Sequence, residues 1–277
     1  MGALFRSGIC SSIASWRGFL RSPRRVVGLL SGLNSRVFST VPSTANFTTY
    51  IIELTDSTPV RSAPYRYAPP KLAIFRRLVD ESKRVWCARA NNTYSSPAFL
   101  VPKSGGEYRM VVAYRKVNSK ILFHSYPMPT IEEPLAQFGN ATIFSVFDLN
   151  SAYYQIPLSS DSRRVTAFCI PFGLYEFNKL RMGISVGSQG LSRVFDEVFA
   201  DLKGRFVFNF LDDLVVYSSS PEKHVAHMRE VLTRLERTGL TLNIDKLVLG
   251  ASEIKYLEHL ISGRGVKILP EGVAAIH

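Results

Sequence analysis

Cysteine is scarce in this chain. Cys10, Cys87 and Cys169 are its three, they lie far apart, and no C-x-x-C or mixed Cys/His cluster accompanies them. That excludes a disulfide framework and a structural zinc site. No stretch approaches the roughly 18 consecutive apolar residues that a membrane-spanning helix needs. Acids are missing from one end: residues 1–52 contain no Asp, Glu or Lys, and the first acid is Glu53. The same residues carry six arginines and are rich in serine. On a helical wheel Ile9, Ile13, Trp16 and Leu20 share one face, and Arg6, Arg17, Arg21 and Arg24 another. Arg-rich, Ser-rich, acid-free and amphipathic is the profile of an organelle transit peptide. Residues 1–45 are therefore expected to be a basic segment that directs the chain to the mitochondrion, with "SRVFST" (35–40) as its end. A basic nucleic-acid-binding arm or an upstream reading frame are the other readings of this stretch. Without a targeting role the expected location is cytoplasm or nucleus.

What is present supports a folded, basic protein. Apolar residues make up 46%, enough for a core. The net charge is +12, which favours a polyanionic partner or serves solubility alone. "TPVRSAPYRYAPP" (58–70), with four prolines, closes an extended arm over 46–70. "KLAIFRRLVDESKRVW" (71–86) has helical spacing of apolar residues. In "SSPAFLVPKSGGEYRMVVAYRKVN" (95–118) a Gly-Gly pair separates two strand-forming runs, which predicts a hairpin. "SSPEKHVAHMREVLTRLERTG" (219–239) predicts a helix with Ser220 as N-cap, Pro221 in the first turn and Gly239 at the end. His224 and His227 on it are expected at the surface. "IKYLEHLISGRGVKILP" (254–270) predicts a short hairpin. The pattern is α+β.

The chemistry rests on two strands that end in acids. Asp148 closes "IFSVFD", and Asp212 closes "FVFNFLD", with Asp213 following. An Asp pair between strands can be a polar hairpin tip. If the strands pair, the acids lie side by side, and adjacent carboxylates raise each other's cost of ionisation. Hard oxygen ligands select Mg²⁺. Two such ions about 3.5–4 Å apart serve in-line attack at phosphate. Because side chains alternate along a strand, Asp212 is expected to be the main ligand and Asp213 auxiliary.

The blocks "DLNSAYYQIPL", "TAFCIPFGLYEF", "FLDDLVVYS", "HVAHMREVLTRLERTGLTLNIDK" and "EIKYLEHLIS" occur in order. With "SSPAFLVPKSGGEYRMVVAYRKVN" and "YPMPTIEE" they resemble the reverse transcriptase of gypsy-type LTR retrotransposons, over about residues 50–277. The resemblance implies a right-hand polymerase fold. Fingers would span 71–122 and 156–187, and palm 123–155 and 188–265. Residues 266–277 would begin a thumb that is largely missing. It implies RNA-directed DNA polymerase activity on an RNA or DNA template-primer with dNTPs, with two Mg²⁺ ions that Mn²⁺ can replace. Activity would require that a thumb be unnecessary or be supplied by a partner chain, and whether a partner supplies a thumb or RNase H is left open. The alternative is a catalytically inactive remnant that at most binds nucleic acid.

Carried over residue by residue, Asp148, Asp212 and Asp213 match the metal-binding carboxylates. Lys246 matches a lysine proposed to protonate the leaving pyrophosphate, or else is a surface lysine. Lys103 and Arg109 match the grip on the incoming triphosphate, or else a solvated basic tip. Tyr153 matches the aromatic beneath the sugar, or else a core tyrosine. Tyr256, Leu257 and His259 match the primer grip. Arg115 is expected to pair structurally. The chain departs from the family at Ala113, where the pattern has Asp, and at Glu258, where it has Gly. It departs again at Arg181, Met182, Ser188 and Leu191, which replace proline, an aromatic, proline and phenylalanine.

Overall fold

The computed structural model describes residues 37–39, 41–83, 85–103, 105–126, 138–256 and 259–268. The chain divides into two units, one of Met1–Asn46, Pro127–Ala152 and Ser192–His277, the other of Phe47–Tyr126 and Tyr153–Leu191. Residues 37–46 depart from expectation, since they group with the body of the first unit instead of standing apart as leader. The remainder of the expected leader, residues 1–36 and Thr40, lies outside the described residues.

In the second unit, elements are numbered in chain order. Helix α1 (Pro69–Lys83) starts on the Pro-Pro pair, where a missing N–H costs nothing, and buries Phe75 and Val79 four residues apart. Strands β1 (Cys87–Arg89), β2 (Ser96–Pro102), β3 (Tyr108–Val112), β5 (Phe168–Ile170) and β6 (Gly173–Phe177) form one sheet in the order β1-β6-β5-β2-β3. β2 and β3 are the expected hairpin; Gly105 and Gly106 at its tip have φ of 106° and 80°, open only to glycine at low cost. Short helices α2 (Arg115–Asn118) and α3 (Ser160–Val165) flank the sheet, α3 being capped by the Ser159 side chain. The expected extended arm runs from Phe47 to Ala68 without regular structure, held by isolated pairings of Tyr50 with Leu158, Leu54 with Ile121 and Arg61 with Ser95.

The first unit is built on an antiparallel sheet of order β7-β8-β4-β9, formed by β4 (Ile143–Asp148), β7 (Val207–Phe210), β8 (Asp213–Ser218) and β9 (Val248–Ala251). Phe144, Val146 and Asp148 lie opposite Tyr217, Val215 and Asp213. Period-2 alternation puts all six on one face. At one end that face is apolar: Phe138 meets Phe144 and Tyr217 edge-on, with centroids 5.8 and 5.0 Å apart. At the other end it carries the two acids. The opposite face is covered by α5 (Pro221–Thr238), which buries His224, Met228, Val231, Leu232 and Leu235 at helical spacing. Its Ser220 cap accepts from Lys223 N, and Gly239 ends it at φ 72°. Helix α4 (Gly187–Phe199) contains the division between units, after Leu191; beyond it Val194, Phe195, Val198 and Phe199 are buried.

The expected 254–270 hairpin is a three-stranded sheet, β10 (Glu253–Tyr256), β11 (His259–Ser262) and β12 (Gly265–Ile268). Residues 266–268, expected to begin a thumb, instead complete β12, because Val266 pairs with Ile261 of the core cluster. Residues 269–277 lie outside the described residues.

Candidate active site

The two strands expected to end in acids, β4 and β7, are not neighbours: β4 pairs instead with β8, the strand that begins at Asp213. Asp148 lies directly opposite Asp213. Asp212 does not close a strand: β7 ends at Phe210, which pairs with Asp213, so Leu211 and Asp212 form a two-residue turn. Leu211 has φ 53°. A left-handed leucine costs about 1 kcal/mol or more, a local strain held by the hairpin around it. Leu149 N donates to Asp212 O at 3.2 Å, which ties the turn to the residue after Asp148.

Lys246 ends a short 3-10 turn, Ile244–Lys246, that Asn243 caps through its side chain. Asn243 N donates to Asp148 O at 2.9 Å, so the turn starts from β4 itself. The result places Lys246 Nζ 2.8 Å from Asp148 Oδ2, with the Asp148 side chain 13% exposed. The hydrogen bond to Asp148 raises the Lys246 ammonium above its ordinary value, and the field of all three aspartates adds to this. Asp213 is pushed up to about 6, first by burial and then by Asp212 and Asp148. Crowded carboxylates produce that shift. Beside them a groove of about 460 Å³ is lined by Val146, Asp213, Lys246, Lys255 and Tyr256, among others.

Among the described residues no three His, Cys, Asp or Glu side chains are arranged to hold a metal ion together. The donors themselves, three carboxylates and no nitrogen or sulfur, are the chemistry that a hard divalent cation takes. Burial first, and then the neighbouring Asp212 and Asp148, raise Asp213, and a bound cation would offset both costs. By chemistry, then, the residues fit the group.

Of the expected primer grip, Tyr256 is buried in the core cluster, edge-on to Phe208 at 5.9 Å, and borders the groove. His259 pairs with it across β10 and β11. Leu257 and Glu258 lie outside the described residues.

The remaining expected residues belong to the second unit. Lys103 and Arg109 are exposed on the β2–β3 hairpin, with Lys103 Nζ 3.7 Å from Glu107. Tyr153 is buried; its hydroxyl shares a 3.1 Å hydrogen bond with Ser188 Oγ, and its ring rests on Gly187, where an added Cβ would come within 3.3 Å of it.

Sequence reasoning missed the environment of Arg181, known there only as a substituted proline. It is buried at 7% exposure. Its Nη2 donates to Met110 O at 2.6 Å and its Nη1 to the Tyr154 hydroxyl. The guanidinium lies 4.3 Å from the Phe177 ring centroid, and Tyr154 in turn stacks on Trp86 at 4.3 Å. An arginine among several aromatics nearby is the signal that could have found it.

His224 corrects another expectation. It is not at the surface but 1% exposed. The sheet-facing side of α5 meets two serines, Ser145 of β4 and Ser218 of β8, whose hydroxyls lie 2.8 and 2.9 Å from its ring nitrogens. His227 is half-buried, stacked on Phe206 with centroids 3.8 Å apart. Burial lowers both imidazoles, His224 to about 3.

A family model described as reverse transcriptase (RNA-dependent DNA polymerase) matches residues 101–261. The chain is similar to the retrovirus-related Pol polyprotein from transposon gypsy of Drosophila melanogaster, 30% identical over 254 residues, covering 87% of this chain and 24% of that protein. It is similar also to the corresponding polyprotein from transposon opus of the same organism, 30% identical, covering 79% of this chain and 22% of that protein. The chain thus spans about a quarter of the length of these relatives. Among solved structures, a foamy viral protease-reverse transcriptase in complex with double-stranded DNA superposes with a TM-score of 0.87 at 17% identity, covering 98% of this chain and 48% of that one. The same viral protein in complex with an RNA/DNA hybrid gives 0.84 at 17% identity, covering 98% and 37%. At these identities the likeness is one of fold, the fingers and palm of a right-hand polymerase.

Proposed function

The chain belongs to the reverse transcriptase family, and from that premise we propose that it performs template-directed nucleotidyl transfer, copying an RNA or DNA template into DNA from dNTPs. The observation that carries this is the direct pairing of Asp148 with Asp213, with Asp212 in the adjoining turn. Divalent cations held by these carboxylates, two Mg²⁺ in the proposal, would lower the pKa of a primer hydroxyl and offset charge on the leaving phosphate.

The chain's own residues do the rest. Asp148 and Asp212 are the proposed principal ligands. Asp213, whose burial makes it the costliest to ionise, is the auxiliary one. Lys246 keeps its proton at Nζ, since its neighbours raise its pKa, and is placed to donate it to a leaving pyrophosphate. Lys103 and Arg109 offer two exposed cations to a triphosphate. Tyr153, fixed by Ser188 and Gly187, offers a rigid ring to a sugar. A net charge of +12 supports binding of the polyanionic duplex.

The test is primer extension by the full chain on an RNA template with Mg²⁺ and dNTPs, beside Asp148→Asn and Asp212→Asn, with duplex binding followed by fluorescence anisotropy. Extension that both variants lose is the expected result. No extension in the wild type, with salt-sensitive binding intact in all three, would leave a nucleic-acid binder in place of the polymerase. We also propose that residues 1–36 direct the chain to the mitochondrion. A reporter fused to them should co-localise with that organelle, and a diffuse signal would refute the assignment.

A further inference from the structure

Residues 37–46 precede the matched segment 101–261, and their composition is that of a leader. Their packing is that of a core element. Val37, Phe38 and Ala45 are 1%, 7% and 2% exposed. Leu242 N donates to Val37 O at 2.7 Å and Ser39 N to Leu242 O at 3.3 Å, a parallel bridge. On its other side Leu242 bridges Leu149, and Asn150 N donates to Thr241 O at 3.0 Å. The segment after α5 is therefore the middle of a ribbon of three chain segments joined by isolated bridges at Leu242. Its outer segments are residues 37–39 and the residues just after Asp148. Asn150 spans the ribbon, its Nδ2 donating to Ser39 O at 2.7 Å.

The segment also closes the C-terminus of α5. Asn46 N donates to Thr238 O at 3.1 Å and Asn46 Nδ2 to Arg237 O at 3.1 Å, satisfying carbonyls that a helix end leaves open. Ser43 Oγ donates to Gly239 O, and Ser43 N to Thr241 Oγ1 at 3.3 Å. Gly239 is required twice over, by its φ of 72° and because a Cβ there would sit 2.9 Å from Thr44 O.

We propose that residues 37–46 are a strap that belongs to the catalytic unit and positions Lys246 against Asp148. The path is short. The strap holds Leu242; the next residue, Asn243, bonds Asp148 O and caps the turn that ends in Lys246. Without the strap the ribbon keeps one neighbour only, and an exposed two-stranded pairing is marginal in water. Any processing of the N-terminus must then leave Val37 in the mature chain, so a cut inside "SRVFST" after Phe38 is incompatible with a working site.

Hydrogen–deuterium exchange on the full chain tests this without relying on catalysis. Val37→Asp places a charge at a buried strap position and should raise exchange of peptides covering 239–247 and 148–150 by about tenfold or more, while the central turns of α5 stay protected. Asn46→Ala, at an exposed site where unfolding is not a concern, should raise exchange at 239–243 by about threefold. In both, Mn²⁺ affinity read by electron paramagnetic resonance should change along with the local exchange, which a strap of purely structural value would not require. Unchanged exchange at 239–247 in both variants overturns the proposal, and so does a mature protein whose N-terminal residue lies beyond Phe38. Should Val37→Asp unfold the whole chain, the Asn46→Ala result alone decides.

Discussion

Lys246 Nζ stands 2.8 Å from Asp148 Oδ2 across 98 residues of sequence, a cation in direct contact with the paired carboxylates. A divalent ion approaching Asp148 meets a positive charge already there. Lys246→Met should therefore tighten Mn²⁺ binding by about tenfold, from removal of one like charge at contact range. It should also slow any primer extension. Electron paramagnetic resonance titration reads the first effect, and equal or weaker binding in the variant would refute it. Lys246 is 63% exposed, so the change should leave folding intact.

Asp213 should make stability fall as pH rises through its titration. Its folded pKa is about 6 against an ordinary 3.8, so the folded chain binds the proton more tightly. This group is neutral and costs nothing below about pH 4, and it imposes its full penalty above about pH 6. Asp213→Asn should raise stability at pH 7 by about 1 kcal/mol after discounting for partial exposure, and by nothing at pH 4. Chemical denaturation at the two pH values, without divalent ions, checks it.

His224 acts in the opposite direction. Its folded pKa is lowered to about 3, so the unfolded chain takes up the proton first. The stability that its neutral form contributes is complete above the unfolded pKa near 6.5 and is lost as pH falls towards 3. His224→Gln should flatten the loss of stability between pH 6.5 and 4, at a cost of about 1–2 kcal/mol at pH 7 for the disturbed serine bonds. A wild-type chain whose stability is level over that range would contradict the account.

Arg181→Ala should cost about 2–4 kcal/mol, because it leaves Met110 O and the Tyr154 hydroxyl without their donor and empties a space between rings. Arg181→Pro, which restores the residue found in the wider pattern, should be no better, since this chain has built its aromatic cluster around a guanidinium. Thermal unfolding of both variants reads this out.

Much of this was legible from local pattern. Ser220, Pro221 and Gly239 mark the ends of α5 because capping is a matter of a few adjacent residues. Gly105 and Gly106 mark the β2–β3 hairpin for the same reason. The ordered blocks around Asp148 and Asp212 point to the fold from sequence alone. His224 and Arg181 were not legible in this way. Each is an ordinary polar residue on a helix or loop, and its burial depends on partners far away in sequence, Ser145 for one and Met110 for the other.

The sequence by itself determined which acids the chain has, that they would lie at or beside strand ends, and a basic net charge that favours a polyanionic partner, because propensity, alternation and charge are properties of neighbouring residues. Only the tertiary structure decided that Asp213 and not Asp212 faces Asp148. Asp213 opens β8, the strand that pairs with β4, whereas Asp212 lies in the turn before it, and a slip of one residue in the β4–β8 pairing would reverse every face. Only the tertiary structure, too, made residues 37–46 part of the unit that holds Asp148 and Asp213. Their leader-like composition carries no trace of a backbone pairing with Leu242, since such bonds form between main chains and are nearly blind to side-chain identity.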